Sequence, residues 1–292
     1  MKVNKTILKV SVCITTFNEK AETVKKLLSA LNNQSLKPDE IIIIDAKDYN
    51  NCSRSKGRNL AIKKAKNELI AITDAGCIPH KNWLKNITKP FIKEKVDVVA
   101  GGYKMVTKNS FQRAESIFLG TQQTDINDDF MPSARSMAFT KSIWKKSGGF
   151  PEELKNTAED TVFNIKLLKV GAKFSVAKDA VVDWNLPESL LGFSKRVYSY
   201  AKGDAESGIW WHPVKKLRTH NLKILTIFAR YLAFFLIYST FDYRILGLVL
   251  IVYVLFANSK AKLWGIILQF VSDFACIIGF SHGILQTSIK RT

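Results

Sequence analysis

Three short runs of β-branched apolar residues, separated by stretches with helical spacing, limit what this chain can fold into. The runs are Leu8–Thr15, Glu40–Asp45 and Leu69–Thr73. In the second run four isoleucines follow one another without alternation, which is typical of strands covered on both faces in a parallel sheet. The order strand, helix, strand, helix, strand predicts a doubly wound α/β half of the kind found in nucleotide-binding domains.

Polar residues stand where each of these runs ends. Thr15–Glu19 closes the first run, Asp45 the second, and Asp74 follows the third. Because ligands of open α/β sheets bind at the carboxyl ends of the parallel strands, these residues predict a binding site at one sheet edge. Two more polar motifs stand near helix starts, Gly57-Arg58-Asn59 and Glu159-Asp160.

In this order, the motifs resemble those of family 2 glycosyltransferases with the GT-A fold, which are inverting enzymes that use nucleotide-sugar donors. The resemblance covers roughly Leu8 to Asp204 and includes T-T-F-N-E, G-R-N, T-D-A-G-C-I-P, S-G-G-F-P-E and A-E-D. It implies an α/β fold, the GT-A nucleotide-diphospho-sugar transferase fold with a doubly wound mixed sheet, and the activity of a hexosyltransferase. One departure is Asp74-Ala75-Gly76, where the family usually carries Asp-x-Asp.

The resemblance implies that the donor contacts Thr15, Phe17, Asn18, Glu19, Asp45, Arg58 and Asp74. Three of these residues also have a purely structural interpretation. Asn18 has the side chain of a helix N-cap, and Asp45 has that of a turn residue. Arg58 would equally suit a solvated basic helix face.

Asp74 is the predicted metal ligand, for Mg²⁺ or Mn²⁺ bound together with the donor diphosphate. These ions prefer oxygen ligands and keep several waters while they bridge phosphate oxygens, so one protein carboxylate can suffice. Gly76 removes the second carboxylate found in many relatives. The sequence therefore predicts either weak metal binding or reliance on basic residues.

Asp160 is the predicted catalytic base. An inverting transfer needs a carboxylate that accepts the proton of the acceptor hydroxyl while that oxygen attacks the anomeric carbon. The helix dipole favours a carboxylate in a first helical turn. Simple first-turn acidity is the structural alternative for Glu159-Asp160.

The predicted acceptor contacts follow the third strand in the chain and are Arg135, Ser136, Glu159, Trp184 and Arg196. Trp184 would stack on a sugar ring or serve as a buried structural residue. The Q-x-x-R-W motif of processive polysaccharide synthases, which would fall near Arg196, is absent. We therefore expect the transfer of a single sugar.

Charged residues become sparse from Leu222 to Leu285, and three apolar stretches stand there: Leu222–Tyr238, Ile245–Ala257 and Leu263–Leu285. A spanning helix needs roughly 20 apolar residues. The pattern predicts a C-terminal hydrophobic helical membrane region over residues 219–292, with two or three segments, after a catalytic domain over 1–218. The donor half would cover about 1–102 and the acceptor half about 103–218. A buried helical subdomain of a soluble protein is the alternative.

The net charge of +19 favours an anionic partner. We expect no nucleic-acid binding, because basic tracts with interleaved aromatics are missing. The four cysteines show no C-x-x-C pair, which suits a reducing cytosol. Basic residues before the apolar tail, among them Lys215 and Arg218, predict a cell-membrane protein with a cytoplasmic catalytic domain.

The predicted partners are a nucleotide-sugar donor, the membrane, and a lipid-linked or glycan acceptor of cell-envelope or polysaccharide synthesis. Two alternatives stay open at this stage. One is sugar transfer to a polyprenyl phosphate carrier. The other is a non-catalytic membrane partner that binds nucleotide sugars.

Overall fold

The structure is a computed structural model that describes residues 8–120, 126–127, 130–154, 157–209, 220–240 and 243–289, with backbone alone at 220–223 and 289. The chain divides into two compact units. The first comprises Met1–Val106, Thr121–Lys155 and Glu159–Asn185, and the second Thr107–Gly120, Asn156–Ala158 and Leu186–Thr292. The basic flank that was expected to mark the cytoplasmic side lies outside the described side chains, and the predicted domain boundary at residue 218 stays a prediction.

The first unit is an α/β unit built on one seven-stranded sheet in the order β2-β1-β3-β6-β5-β7-β4. Its strands are β1 Val10–Thr16, β2 Glu40–Asp45, β3 Leu69–Ile72, β4 Cys77–Pro79, β5 Val98–Val106, β6 Met137–Thr140 and β7 Phe174–Asn185. Its helices are α1 Ala21–Asn32, α2 Arg54–Lys64, α3 Trp83–Lys93, α5 Lys141–Lys146 and α6 Glu159–Lys169.

The strand register places the predicted donor residues at one edge of this sheet. β1 is parallel to β2 and β3, with Thr16 opposite Asp45 and Cys13 opposite Ile72. β6 is antiparallel to β3 and begins with Met137 opposite Ile72. The carboxyl ends of the first three strands and the amino end of β6 therefore share one edge.

The apolar pattern predicts strands over Val96–Ala100 and Val181–Trp184, and both β5 and β7 are longer than these. In β5, two glycines conceal the second half. The strands pair in parallel from Val98 to Val106, with a register shift between Gly101 and Gly102. A Cβ at Gly101 would lie 1.9 Å from Ser136 Oγ and 2.7 Å from the Ala180 carbonyl oxygen. Glycine is needed here for close approach, although it is a poor strand former in isolation.

The second unit consists of helices. They are α4 Ser110–Leu119, α7 Leu190–Ser207, α8 His220–Thr240 and α9 Tyr243–Ile289. The weak pattern between Lys104 and Met131 predicts a partly helical segment, and α4 lies within it. Residues 121–125 and 128–129 of that segment lie outside the described residues. α9 is broken at Ala261 and Lys262, whose φ/ψ values are −159/36° and 53/−137°. Its two arms, 243–260 and 263–289, match the second and third predicted apolar stretches.

Asp273, in the middle of the second α9 arm, is the centre of a buried polar cluster. Its side chain is 1% exposed and forms an ion pair of 2.6 Å with Arg230 of α8. Tyr253 of the first α9 arm donates its hydroxyl to the same carboxylate, and Gln269 donates to Oδ1 at 2.9 Å. These bonds join α8 and both arms of α9, and they explain why two charged residues are tolerated within apolar stretches.

In the described part of the chain, α9 over Tyr243–Ser288 meets the length and composition criteria for crossing a membrane, with a mean hydropathy of 1.8, although Ala261 and Lys262 divide it into two arms. Only 39% of its most apolar window is buried. Large apolar side chains are exposed on both α8 and α9, among them Leu232, Phe235, Leu248 and Leu255. An exposed apolar surface of this kind is unusual for a soluble monomer.

Candidate active site

Arg58 is the hub of a buried ion-pair network in the first unit. Its Nη2 donates to Asp74 Oδ1 and its Nη1 to Glu159 Oε1, each at 2.7 Å. The Arg58 side chain is 6% exposed, that of Glu159 10% and that of Asp74 37%. Three motifs far apart in sequence, G-R-N, T-D-A-G and A-E-D, are thereby joined through one guanidinium group.

Asp74 lies in the tight turn between β3 and β4, where arginine side chains stabilise its negative charge. Burial alone would raise the pKa of its carboxyl, but Arg58, Arg135 and Arg54 outweigh that effect and the pKa lies below its usual value. A Cβ at Gly76 would meet nothing within 4 Å. The carboxylate is therefore ionised at neutral pH beside open space.

The other predicted donor residues lie at the ends of β1 and β2. Glu19 Oε2 accepts from the backbone N–H groups of Phe17 and Asn18, at 2.5 and 3.1 Å, and so fixes this turn. Asn18 is not the N-cap of α1, because Lys20 occupies that position. Asp45 Oδ1 accepts from Lys47 N at 3.0 Å, which is the turn role considered above.

Thr15 lies against Gly57 at the start of the donor edge. A Cβ at Gly57 would be 2.3 Å from Thr15 Cγ2, so the helix α2 approaches the end of β1 as closely as glycine permits. Thr15 Oγ1 is buried without a hydrogen-bond partner in the structure. An unsatisfied hydroxyl beside an open sheet edge is a place where a ligand would supply the missing partner.

Asp160 begins α6 and lies beside the loop that precedes β6. Its Oδ1 accepts from Thr161 N at 2.8 Å, and its Oδ2 accepts from Ala134 N at 3.3 Å. The backbone just before it is unusual, because Ala158 has a φ of 72° in the left-handed region that favours glycine. Non-glycine residues in that region are concentrated at functional sites.

Arg135 follows Ala134 and is held between two aromatic rings. Its guanidinium carbon lies 3.9 Å from the ring centroid of Trp184 and 5.1 Å from that of Tyr103. Trp184 is buried and makes an edge contact with Tyr103. The structure thus gives Trp184 the buried structural position, and its ring fixes a cation whose charge reaches Asp74.

Ser136 is bonded to other partners within the first unit, and Arg196 belongs to the second unit. The Ser136 hydroxyl is fully buried, accepts from Trp83 Nε1 and donates to the Ala180 carbonyl, both at 2.9 Å. These bonds satisfy the hydroxyl within the protein, and a contact of Ser136 with the acceptor stays a prediction. Arg196 belongs to α7 of the second unit, where its charge acts on the buried Glu115.

Sequence reasoning missed the role of Asn59. Its Nδ2 donates to the Phe150 carbonyl at 2.9 Å, and its Oδ1 accepts from Trp144 Nε1 and Phe150 N. The left-handed Gly149, with a φ of 71°, lies against the same amide oxygen. Asn59 therefore connects the G-R-N motif to the S-G-G-F-P-E motif. The signal available in the sequence was an amide side chain next to Arg58 in α2.

The chemistry of the site limits how a divalent ion would be held. Among the described residues, no group of three or more His, Cys, Asp and Glu side chains forms a metal site. Asp74 is 37% exposed, and Arg58 occupies its Oδ1. This arrangement fits an ion with one protein ligand whose remaining ligands are phosphate oxygens and water.

The comparisons with known proteins identify the family. The family model described as glycosyl transferase family 21 matches residues 46–208, more than half of the chain. The chain belongs to glycosyl transferase family 21. The matched range of this family 21 chain includes Arg58, Asp74 and Asp160. The prediction that the chain belongs to a glycosyltransferase family is confirmed. The family is family 21, whereas the motifs resembled those of family 2. No curated protein is significantly similar in sequence.

Solved structures show the fold. The mannosyltransferase PcManGT from Pyrobaculum calidifontis, in complex with GDP-Man and Mn²⁺, is similar with a TM-score of 0.70 and 16% identity, over 94% of this chain and 87% of that one. S. aureus TarS 1–349 with UDP-GlcNAc has a TM-score of 0.50 and 20% identity, over 67% and 66%. The TarS 1–349 structure without ligand has a TM-score of 0.47 and 22% identity, over 67% and 65%, so this family 21 chain spans just under two thirds of it. The predicted GT-A-like α/β fold is confirmed by the first of these.

Proposed function

We propose that this protein is an inverting glycosyltransferase that moves one sugar from a nucleotide-sugar donor to a lipid-linked or other cell-envelope acceptor. The observation that carries the proposal is the ion-pair network in which Arg58 links Asp74 to Glu159, the neighbour of Asp160. It brings a donor-side carboxylate and a candidate base to one sheet edge in a chain of a glycosyltransferase family.

The proposed reaction uses the chain's own groups as follows. Asp160 accepts the proton of the acceptor hydroxyl while that oxygen forms a bond to the anomeric carbon from the face opposite the leaving group. The bond between that carbon and the diphosphate breaks, and the nucleoside diphosphate leaves with its electron pair. Arg58 and Glu159 hold the two aspartates in place, and Thr15, Phe17 and Asp45 face the nucleoside.

We propose that Mg²⁺ or Mn²⁺ enters with the donor, held by Asp74. The ion would offset the charge of the departing diphosphate. Arg135 adds fixed positive charge near Asp74, which suits a site with one protein ligand. The similar PcManGT structure contains Mn²⁺, which supports a divalent ion here.

We further propose that α8 and α9 attach the protein to a membrane with the first unit in the cytoplasm. The exposed apolar side chains of both helices support this, since a lipid phase would cover them. Alkaline carbonate extraction and flotation of the full chain with vesicles test the attachment. Recovery in the soluble fraction would favour the buried-subdomain alternative.

The activity test is nucleoside diphosphate release by the full chain in detergent, with UDP-, GDP- and dTDP-sugars, a lipid extract as acceptor, and Mg²⁺, Mn²⁺ or EDTA. UDP-GlcNAc and GDP-Man come first, because similar structures hold them. Asp160→Asn should lower turnover by about 10²–10⁴-fold while donor binding persists. Asp179→Asn, at an exposed carboxylate of β7, is the matched control and should leave turnover unchanged.

Each alternative has its own outcome in the same assay. Donor binding without release from any acceptor would indicate a non-catalytic binding partner. Release that needs only a prenyl phosphate would indicate transfer to the carrier. The anomeric configuration of the product, read by NMR, tests inversion directly, and retention would rule out Asp160 as a simple base.

A further inference from the structure

A groove of about 530 Å³ lies between α7 and the second arm of α9, within the second unit. Its α9 wall is apolar and is formed by Phe270, Val271, Phe274, Ala275 and Ile278. Its α7 wall is polar and is formed by Ser194, Lys195 and Tyr198. The volume falls within the range of about 300–1,000 Å³ that is usual for small-molecule sites.

The two helices are locked together directly beyond the groove. A Cβ at Gly279 would lie 2.4 Å from the Tyr198 carbonyl oxygen, and one at Gly283 would lie 2.6 Å from that of Lys202. The helices therefore run in the same direction and touch at the backbone. This backbone contact fixes the spacing of α7 and α9 at the end of the groove.

The α7 wall is held in a defined orientation with its charge outward. The Tyr198 hydroxyl is hydrogen-bonded to His282 Nδ1, which fixes the tyrosine ring against the groove. Lys195 is exposed at the polar edge, and Phe274 and Ile278 on the facing wall are 53% and 59% exposed. The groove thus presents an apolar trough with one ammonium group along its rim.

We infer that this groove binds one acyl chain of an anionic phospholipid from the surrounding bilayer, with Lys195 at its phosphate. The apolar wall belongs to the second arm of α9, the helix that meets the length and composition criteria for a membrane span, and with the proposed membrane attachment a bilayer lipid would enter the groove from the lipid phase. An anionic headgroup complements Lys195 and the net charge of +19. The inference draws on the proposed membrane attachment and goes beyond the proposed catalytic function.

The test uses phosphatidylglycerol with a photoreactive diazirine in one acyl chain, in phosphatidylcholine nanodiscs that contain the full chain. Mass spectrometry of the labelled peptides should place most modification on the groove walls. Ala275→Trp, which fills the trough, should lower that labelling about ten-fold, equivalent to about 1.4 kcal/mol. Leu285→Trp, at an exposed position on the same helix, is the matched control and should leave it unchanged.

The charge component is tested separately. Lys195→Gln should lower the preference for phosphatidylglycerol over phosphatidylcholine about five-fold, the effect of about 1 kcal/mol for one basic residue at an anionic surface. Lys169→Gln, at an exposed lysine of α6, should have no effect. Because tryptophan at position 275 could disturb packing, Ile278→Asn provides a second groove variant at a side chain that is already exposed.

Three results would overturn the inference. One is labelling spread evenly over exposed apolar residues such as Leu232 and Leu255. Another is cross-linking between groove residues of two copies, which would make the groove a subunit contact. The third is displacement of the label by farnesyl phosphate at a tenth of the phosphatidylglycerol concentration. Turnover is measured on the same nanodiscs. The loss of lipid labelling with normal turnover would contradict this inference alone and leave the proposed activity in place.

Discussion

Replacing Arg58 with methionine removes the charge of the ion-pair hub while keeping a long side chain of similar shape. The two partners then lose their cation in different surroundings. Glu159 is 10% exposed and would become a buried carboxylate without a counter-ion. Asp74 is 37% exposed and regains part of its hydration from solvent.

The expected magnitude follows from those two environments. Removing one partner of a buried ion pair costs about 3–5 kcal/mol, because the remaining charge is desolvated and unpaired. A pair with one exposed partner contributes about 0–1 kcal/mol. We therefore expect Arg58→Met to lower the free energy of unfolding by about 3–5 kcal/mol, nearly all of it through Glu159.

Denaturant titration of the full chain in detergent, followed by tryptophan fluorescence and far-UV circular dichroism, measures this change. The double variant Arg58→Met/Glu159→Gln should recover most of the loss, since no buried charge remains. Arg58→Met/Asp74→Asn should recover little. Lys63→Met, at an exposed lysine of the same helix, should stay within about 0.5 kcal/mol of the wild type.

The reasoning is refuted if Arg58→Met unfolds within about 1 kcal/mol of the wild type. It is equally refuted if Glu159→Gln fails to rescue that variant while Asp74→Asn succeeds. The first result would mean that Glu159 finds another partner or takes up a proton. The second result would mean that the ion pair between Arg58 and Asp74 contributes most of the lost free energy of unfolding.

Three further predictions concern other parts of the molecule. Gly76→Asp should place a second carboxylate in the turn that carries Asp74, where a Cβ meets nothing within 4 Å, and lower the metal concentration for half-maximal activity on the order of ten-fold. Asn33→Asp, at an exposed position after α1, adds a carboxylate elsewhere and should not change it. Gly57→Ala should destabilise the protein by about 1–3 kcal/mol through its overlap with the Thr15 methyl, and Thr15→Ser should relieve this in denaturation. Burial raises the pKa of Glu115 from its usual 4.5 to about 7 and outweighs the opposite effect of Arg196. The folded state therefore binds a proton that the unfolded state has released, and the free energy of unfolding should fall from pH 5 to 8 by on the order of 3 kcal/mol. Glu115→Gln should flatten that profile, and an unchanged slope would contradict the assignment.

The parts of the fold that the sequence predicted well are those with strong local signals. The three apolar runs gave the boundaries of β1, β2 and β3 within about two residues of the structure. β4 was missed because three residues, Cys77–Pro79, carry no periodicity. The second half of β5 has no strand signal in the sequence, because it contains Gly101 and Gly102. These glycines allow the backbone to approach β6 and β7 closely, which becomes clear only in the folded sheet.

For the site, sequence identified the residues but not their partners. Arg58, Asp74 and Glu159 were each singled out, yet their mutual pairing spans up to 101 positions and leaves no local pattern. Arg135 and Trp184 were assigned to the acceptor side independently, and their stacking depends on β6 and β7 lying in one sheet. Ser136 shows the opposite case, since a polar residue near a motif proved to be fully buried.

The separation between Arg58 and Glu159 also constrains the order of events during synthesis. Arg58 leaves the ribosome 101 residues before Glu159. At about 5–20 residues per second, translation of that interval takes roughly 5–20 seconds. During this time Asp74, only 16 residues away, can already pair with Arg58. The donor side of this sheet edge can therefore form early, whereas Glu159 and the neighbouring Asp160 join Arg58 late in synthesis.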